Sequence, residues 1–440
     1  MPLINHCNGG SSFAAIIQVI SNKGATCTCS NGSTTLTAVA TSGNCSFKVT
    51  SKGTWTVTAT LGENVKSENV DISIDGEFKK VAVYAVQVFG ISRDITKSSP
   101  VWARTDIAES FKATASIGVV AGASDFDDYY PWSDITRETL STGDVMVKIP
   151  KFWYKRYREG DIEYIKIAGS ELEGFTLHPA FNHANSPKDC VYVGAYKTSS
   201  DKLSKSNTAP TTQRSRASFR SSAKTKGTGW QILDISTLSA IQMLILVEFA
   251  NNDVQTSIGA GYSDSPNTNS FYDAQRTGSC DNVPNLTGRP AGTADQVDVV
   301  WRGLEGLWGN TFESVDGVNA HNNAYYVCND PSKYADDTST DYSLLSYEHA
   351  GNWSGEFIEQ VGLDIGDNAH VMLPQTQGGS SSSFMCDCCY SRSGGSGWNT
   401  VSVSGGWTSK AACGLFIADL TISSATYSNK SGSRLVYIPQ

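Results

Sequence analysis

Residues 299–319 read VVWRGLEGLWGNTFESVDGVN, the most specific local signal in the chain. Gly303, Gly306, Gly309 and Gly317 separate the large side chains of Trp301, Leu304, Leu307, Trp308 and Phe312. Glycine lets backbone approach packed side chains closely, so the stretch reads as a compact turn pressed against a core.

Downstream, residues 378–416 read GGSSSSFMCDCCYSRSGGSGWNTVSVSGGWTSKAACGLF. Almost no apolar periodicity is present, which excludes a helix. Gly and Ser suggest a flexible linker. Linkers, however, do not carry Phe384, Met385, Tyr390, Trp398 and Trp407, nor lead into a strand-like run such as residues 434–438. Rigid rings set among adaptable Ser and Gly are the composition of binding paratopes. The segment therefore reads as a ligand-binding face of loops and short strands. Asn, Ser, Asp, Tyr, Cys, Gly, Arg and Thr are also all reachable from one adenine-rich Asn codon by changing its adenines. Their concentration here, with Cys386, Cys388 and Cys389 together, suggests side chains exchanged wholesale on a fixed backbone; an ordinary Ser/Gly-rich loop is the alternative.

The chain has 440 residues and a formal charge of -9. Length alone suggests about two to four domains. Apolar residues at 39% suffice for packed cores, and charged residues at only 18%, with abundant Gly, Ser, Thr and Asn, point to a β-rich, loop-rich protein. The acidic balance argues against nucleic acid as a partner. No apolar run is long enough for a membrane span. The opening MPLINHCNGG lacks the basic region and apolar core of a secretory signal, so export is expected as part of a particle or by lysis. Eleven cysteines is an odd count without the spacing of a disulfide framework. Cys27 and Cys45 could pair across a small sandwich, and free thiols are equally compatible. Cys386, Cys388 and Cys389 lack zinc-knuckle gaps and a nearby His, so no metal or cofactor is expected.

Residues 12–84 form short alternating runs at 16–20, 25–29, 35–40, 46–50, 54–60, 67–74 and 79–84, separated by turn pairs such as Asn31-Gly32 and Asp75-Gly76. Such a succession predicts a small β-sandwich. Beyond it, residues 145–157 predict a strand, with 162–167 as its hairpin partner across Glu159-Gly160, and residues 191–196 another. Arg216, Arg220 and Lys224 share one helical face, read as solvated. Ser236 is expected to cap a second helix with Leu238, Ile241, Leu244 and Ile245 inward, running on as strand through 246–249. His178 and His183 have no helix to converge them on a metal.

Three blocks carry a resemblance to a known family. GLWGNTFE (306–313) resembles the Gly-Asn-x-aromatic-Glu motif of the formylglycine-generating-enzyme branch of the C-type-lectin fold. SGGWT (404–408) resembles that branch's Arg-Gly-Gly-Ser-Trp segment, and GSRLVYIP (432–439) its closing strand, in the same order and spacing. The span from residue 91 onward is similar to the variable proteins of diversity-generating retroelements, notably those of phages and prophages of gut bacteria. The matching features are Gly405-Gly406-Trp407, residues 412–416 and residues 432–435. In that family a reverse transcriptase miscopies adenines, and the exchanged side chains form a solvent-exposed binding site on an invariant lectin-like scaffold. The resemblance implies a multidomain chain. Residues 89–440 are expected to be an α+β C-type-lectin-like domain with insertions, its variable segment at about 380–420. Residues 1–88 are expected to be an all-β sandwich spacer, which in GTWTVTAT (53–60) resembles the immunoglobulin-like domains of bacterial surface and phage tail proteins.

The formylglycine-generating relatives oxidise a substrate cysteine with copper held by two cysteines, for which Cys386, Cys388, Cys389 and Cys413 are candidates. Ser404, however, stands where the enzymes have Arg, and a reactive thiolate needs a nearby cation or base. Glycan cleavage by Glu305 and Glu313 rests on their presence alone. No catalysis is expected. The Glu-Pro-Asn and Trp-Asn-Asp calcium ligands of true C-type lectins do not occur. Ligand contact is expected from Phe384, Met385, Asp387, Cys389, Tyr390 and Arg392, and from Trp398, Trp407, Thr408, Lys410, Phe416 and Ile417. The expected role is receptor binding by a phage or prophage tail protein on the virion, beside other tail proteins, with a homotrimer suggested by analogy with tail fibres. Its ligand is a bacterial cell-surface protein or glycan. A bacterial surface adhesin of the same fold is the alternative.

Overall fold

Trp55, Val57 and Ala59 are fully buried while Thr54, Thr56 and Thr58 point the other way, the period-2 pattern of a strand with one covered face. The computed structural model describes residues 14–62, 64–267, 272–349, 354–391 and 397–440. Strand predominates over helix, and the chain divides into two compact units, Met1–Val88 and Phe89–Gln440.

In the first unit, β1 (Ala15–Ile20), β2 (Thr26–Ser30), β3 (Thr35–Val39), β4 (Asn44–Val49), β5 (Gly53–Leu61), β6 (Asn64–Ile72) and β7 (Glu77–Ala82) form two sheets. Their orders are β4-β1-β7 and β3-β2-β5-β6. Ile17, Val19 and Phe47 from one sheet meet Cys27, Trp55, Val57 and Ile72 from the other. Each large apolar side chain so covered contributes about 1.5–3 kcal/mol. On the outer face Thr54, Thr56 and Thr58 bond across to Asp71, Asn69 and Ser67 at 2.5, 2.9 and 2.7 Å. Cys27 and Cys45 are both free thiols.

The second unit mixes sheets with helices α1 (Arg216–Lys224), α2 (Ile235–Phe249) and the short α3 (Val254–Ser257). Every residue of α2 is buried, as its nearly all-round apolar composition requires. Its cap is Asp234, which accepts from Ser236 N and Thr237 N at 3.0 Å; Ser236 already lies inside the first turn. The helix continues unbroken to Phe249, so the expected strand at 246–249 does not form. The face of α1 expected to be solvated is instead covered. Arg220 grips Asp316 through Nε and Nη2 at 2.7 and 2.6 Å, and Arg216 Nε reaches Asp336 at 2.7 Å, so Lys224 alone of the three cations stays exposed. Residues 145–157 also break, after Pro150. Val145–Pro150 and Trp153–Glu159 lie in different sheets, and only the latter forms the hairpin with Ile162–Ala168.

Two sheets position the C-terminal segment. One has the order Thr136–Thr139, Val145–Pro150, Cys190–Lys197, Arg434–Tyr437, Trp230–Ile232. The larger runs Ser343–Glu348, Ala324–Val327, Phe312–His321, Trp398–Val403, Ala418–Asp419, Cys388–Tyr390, Ser354–Val361, Pro374–Gln377, with Ser431–Gly432 parallel to the start of Phe312–His321. Among the described residues no helix is long and apolar enough to cross a membrane.

Candidate ligand-binding face

The three sequence blocks that carry the resemblance meet in space. Glu313 is buried and accepts from Arg434 Nη2 at 2.7 Å and from Lys197 Nζ at 2.8 Å. Arg434 directs its remaining donors to Gly194 O and Glu305 O, both at 2.8 Å. Burial pushes the Glu313 carboxyl up, but the two cations outweigh it and hold it below the usual carboxylate range. Gly309 N donates to Ser404 O at 2.7 Å and Trp407 N to Asn310 O at 3.0 Å, which ties the first block to the second. Gly309 and Asn310 both have left-handed φ, 84° and 65°, a geometry that suits this Gly-Asn pair. Glu313 is thus the centre of a packed joint. Beside it, burial and then the neighbouring Asp298 raise the Glu305 carboxyl to about 8.

This joint leaves little of the downstream segment free. Met385, Cys389 and Ile417 are fully buried, and Asp387, Trp407 and Phe416 are at most 2% exposed. Expected as ligand contacts, these six are corrected to parts of the frame. The reason is local: strand Cys388–Tyr390 is covered on both faces, and Asp387 turns inward to accept from Phe416 N at 2.7 Å. A Cβ at Gly414 would lie 2.0 Å from Asp387 Oδ1, so this turn needs glycine. Trp407 packs edge-on to Tyr272 at 5.7 Å. Phe384, Tyr390, Trp398 and Thr408 are half-buried and Lys410 is exposed; Arg392 lies outside the described residues.

The accessible members do not converge. Thr408 and Lys410 follow the last residue of strand Trp398–Val403, whereas Trp398 is its first. Thr408 Oγ1 accepts from Lys430 Nζ at 2.8 Å, and Lys410 Nζ pairs with Asp264 at 3.4 Å. Phe384 is held through its backbone, its N donating to Ser98 O and its O accepting from Asn252 Nδ2, both at 2.7 Å. The Tyr390 ring lies over Gly355, where a Cβ would approach it to 2.8 Å.

Around Trp398 the sheet assembles a different group. Trp398 and His321 are register partners, and their rings stack at 4.4 Å and 26°. Tyr326, one strand further, has its ring 5.3 Å from Trp398. Its own register partner, Leu344, is 59% exposed. Register partners share a sheet face, so four adjoining strands present Leu344, Tyr326, His321 and Trp398 together. Composition points to Trp398 but not to the other three. A signal for them exists in residues 318–327, VNAHNNAYYV, where Asn322-Asn323 between alternating runs marks a tight hairpin carrying rings on its flanks. Such a patch offers stacking area and a His ring edge.

The clustered thiols have another character. Burial raises Cys386 and Cys388 to about 12, and raises Cys389 and Cys413 as well. Among the described residues no group of three or more His, Cys, Asp or Glu is arranged to hold a metal ion. No protein-family model matches this chain, and no curated protein matches it in sequence.

Proposed function

We propose that the second unit is a binding module: a C-type-lectin-like frame of the formylglycine-generating-enzyme branch, fronted by an immunoglobulin-like spacer. More particularly, we read the chain as a diversity-generating-retroelement variable protein of a phage or prophage tail that adsorbs to a bacterial surface ligand. The observation that carries the reading is the ring patch of Trp398, His321, Tyr326 and Leu344, which stands on a sheet anchored by the buried Glu313–Arg434 joint. Rigid aromatic area at small entropic cost is what a recognition surface uses.

Affinity at one such site is expected in the nanomolar range or weaker, and several copies on one particle would raise avidity by about 100-fold to 10,000-fold. The test is binding of the purified chain to bacteria of candidate host strains. A double substitution W398A/Y326A should abolish binding while the Tm stays within about 4 °C. Retained binding by that folded variant rejects the patch. A near-copy of the gene's 3′ end beside a reverse transcriptase, differing only at adenines, would support the diversification reading; differences scattered over all bases would reject it.

A further inference from the structure

The ring patch has an acidic border. Ala324 stands between two register partners, His321 in one neighbouring strand and Glu348 in the other, and all three share a sheet face. Those partners are two inter-strand spacings apart, about 10 Å, with only the methyl group of Ala324 between them. Tyr326 follows on the same strand and face, roughly 7 Å along, opposite Leu344. Leu345 and Tyr347 turn inward, so Glu348 projects on the outer side with Leu344. The result is a shallow cup over Ala324. The stacked rings of His321 and Trp398 stand on one side, Tyr326 on the next and the Glu348 carboxylate on a third.

Charge sets the class of ligand. Glu348 is exposed and enters no ion pair among the described residues. The four strands Ser343–Glu348, Ala324–Val327, Phe312–His321 and Trp398–Val403 contain no Lys or Arg. Their other carboxylates, Glu313 and Asp316, are buried against Arg434 and Arg220. In the loop joining Ala324–Val327 to Ser343–Glu348, Lys333 is offset by Asp341 and Asp330 at 3.3 and 3.9 Å. A free carboxylate beside ring faces, with no competing cation on the strands, attracts a positive group. A lysine-type ammonium is strongly hydrated and must keep its N–H groups bonded, which ring faces, a methyl floor and Leu344 do not do. A quaternary ammonium has no N–H and lays methyl groups on such a surface.

We propose that this cup binds a quaternary ammonium group of the choline type, an inference that rests on the ring patch being the recognition surface. The experiment is NMR titration of the full chain with choline and tetramethylammonium chlorides. Ethanolamine and 3,3-dimethylbutan-1-ol, the neutral carbon isostere of choline, serve as comparisons. Both quaternary cations should bind, and the two comparison compounds should bind about 5-fold more weakly or worse. E348Q keeps the shape and removes the charge, so it should weaken choline by about 5-fold and leave the neutral isostere unchanged. W398A should abolish choline binding. Phosphocholine and phosphatidylcholine vesicles separate a polymer-borne group from a lipid headgroup, and binding of either supports the class. Choline held no tighter than its neutral isostere, ethanolamine held as tightly as choline, or choline binding indifferent to E348Q each overturns the proposal. If W398A/Y326A loses adsorption to bacteria while no quaternary cation binds, the patch stands and the ammonium site falls. If adsorption survives that double substitution while choline binding depends on Glu348, the receptor reading falls and the ammonium site stands.

Discussion

Two tryptophans flank the same strand, Trp398–Val403, and they belong to different worlds. Trp407, in the turn past its end, is 1% exposed and bonded through its backbone into the Gly309-Asn310 corner. Trp398, at its start, is half-buried and stacked on His321. Both rings sit in similar Ser- and Gly-rich sequence, so composition treats them alike. What separates them is the partner strand. The GNTFE corner closes over one end of the sheet, and a hairpin turn leaves the other end open.

The comparison breaks first at the joint. E313A strands Arg434 and Lys197 in the interior, and loss of one partner of a buried pair costs about 3–5 kcal/mol; urea unfolding of the purified chain reads this directly, and a loss below about 1 kcal/mol would remove the joint from the account. W407A should follow closely, with about 3–5 kcal/mol lost to the cavity it leaves. A smaller effect belongs to Glu305. Its carboxyl is raised to about 8 when folded, so the folded chain holds a proton that the unfolded chain has released, and stability falls as pH rises from 6.5 to 8 by on the order of 1–2 kcal/mol. Below that window His178 and His370, kept neutral by burial, act in the opposite sense as the unfolded chain takes up protons. E305Q should flatten the slope between pH 6.5 and 8; an unchanged slope assigns it elsewhere. The smallest stability effect is expected for W398A, within about 1 kcal/mol, although its effect on ligand binding is the largest. If W398A and W407A cost the same, the two ends of the strand do not differ as described.

Much of the frame is legible in the sequence. The threonine alternation around Trp55 shows which face is covered, and the runs of the first unit emerge as strands within a few residues of their expected positions. The three blocks of the second unit are recognisable because each carries an unusual backbone demand or a charge needing a partner. Misreadings arise wherever a residue's partner lies far along the chain. Arg216 and Arg220 share a helical face, as their spacing requires, but nothing local reveals that Asp316 and Asp336 cover it. The site suffers most. A segment without periodicity gives no basis for sorting its rings into inner and outer, and half of the ring patch comes from residues 321–326, outside the segment altogether.

The strand Arg434–Tyr437 is interior to its sheet, flanked by Cys190–Lys197 and Trp230–Ile232, and it delivers Arg434 to Glu313. It is also encoded after the Ser- and Gly-rich segment. A single inserted or deleted nucleotide anywhere in that segment would therefore garble the strand and take Arg434 from Glu313, leaving Lys197 as its partner. A chain shifted out of frame there would lose the folded second unit, whereas a substitution that keeps the frame leaves the closing strand and its arginine in place. The strand that ends the chain thus makes the fold of the second unit sensitive to the length of what precedes it.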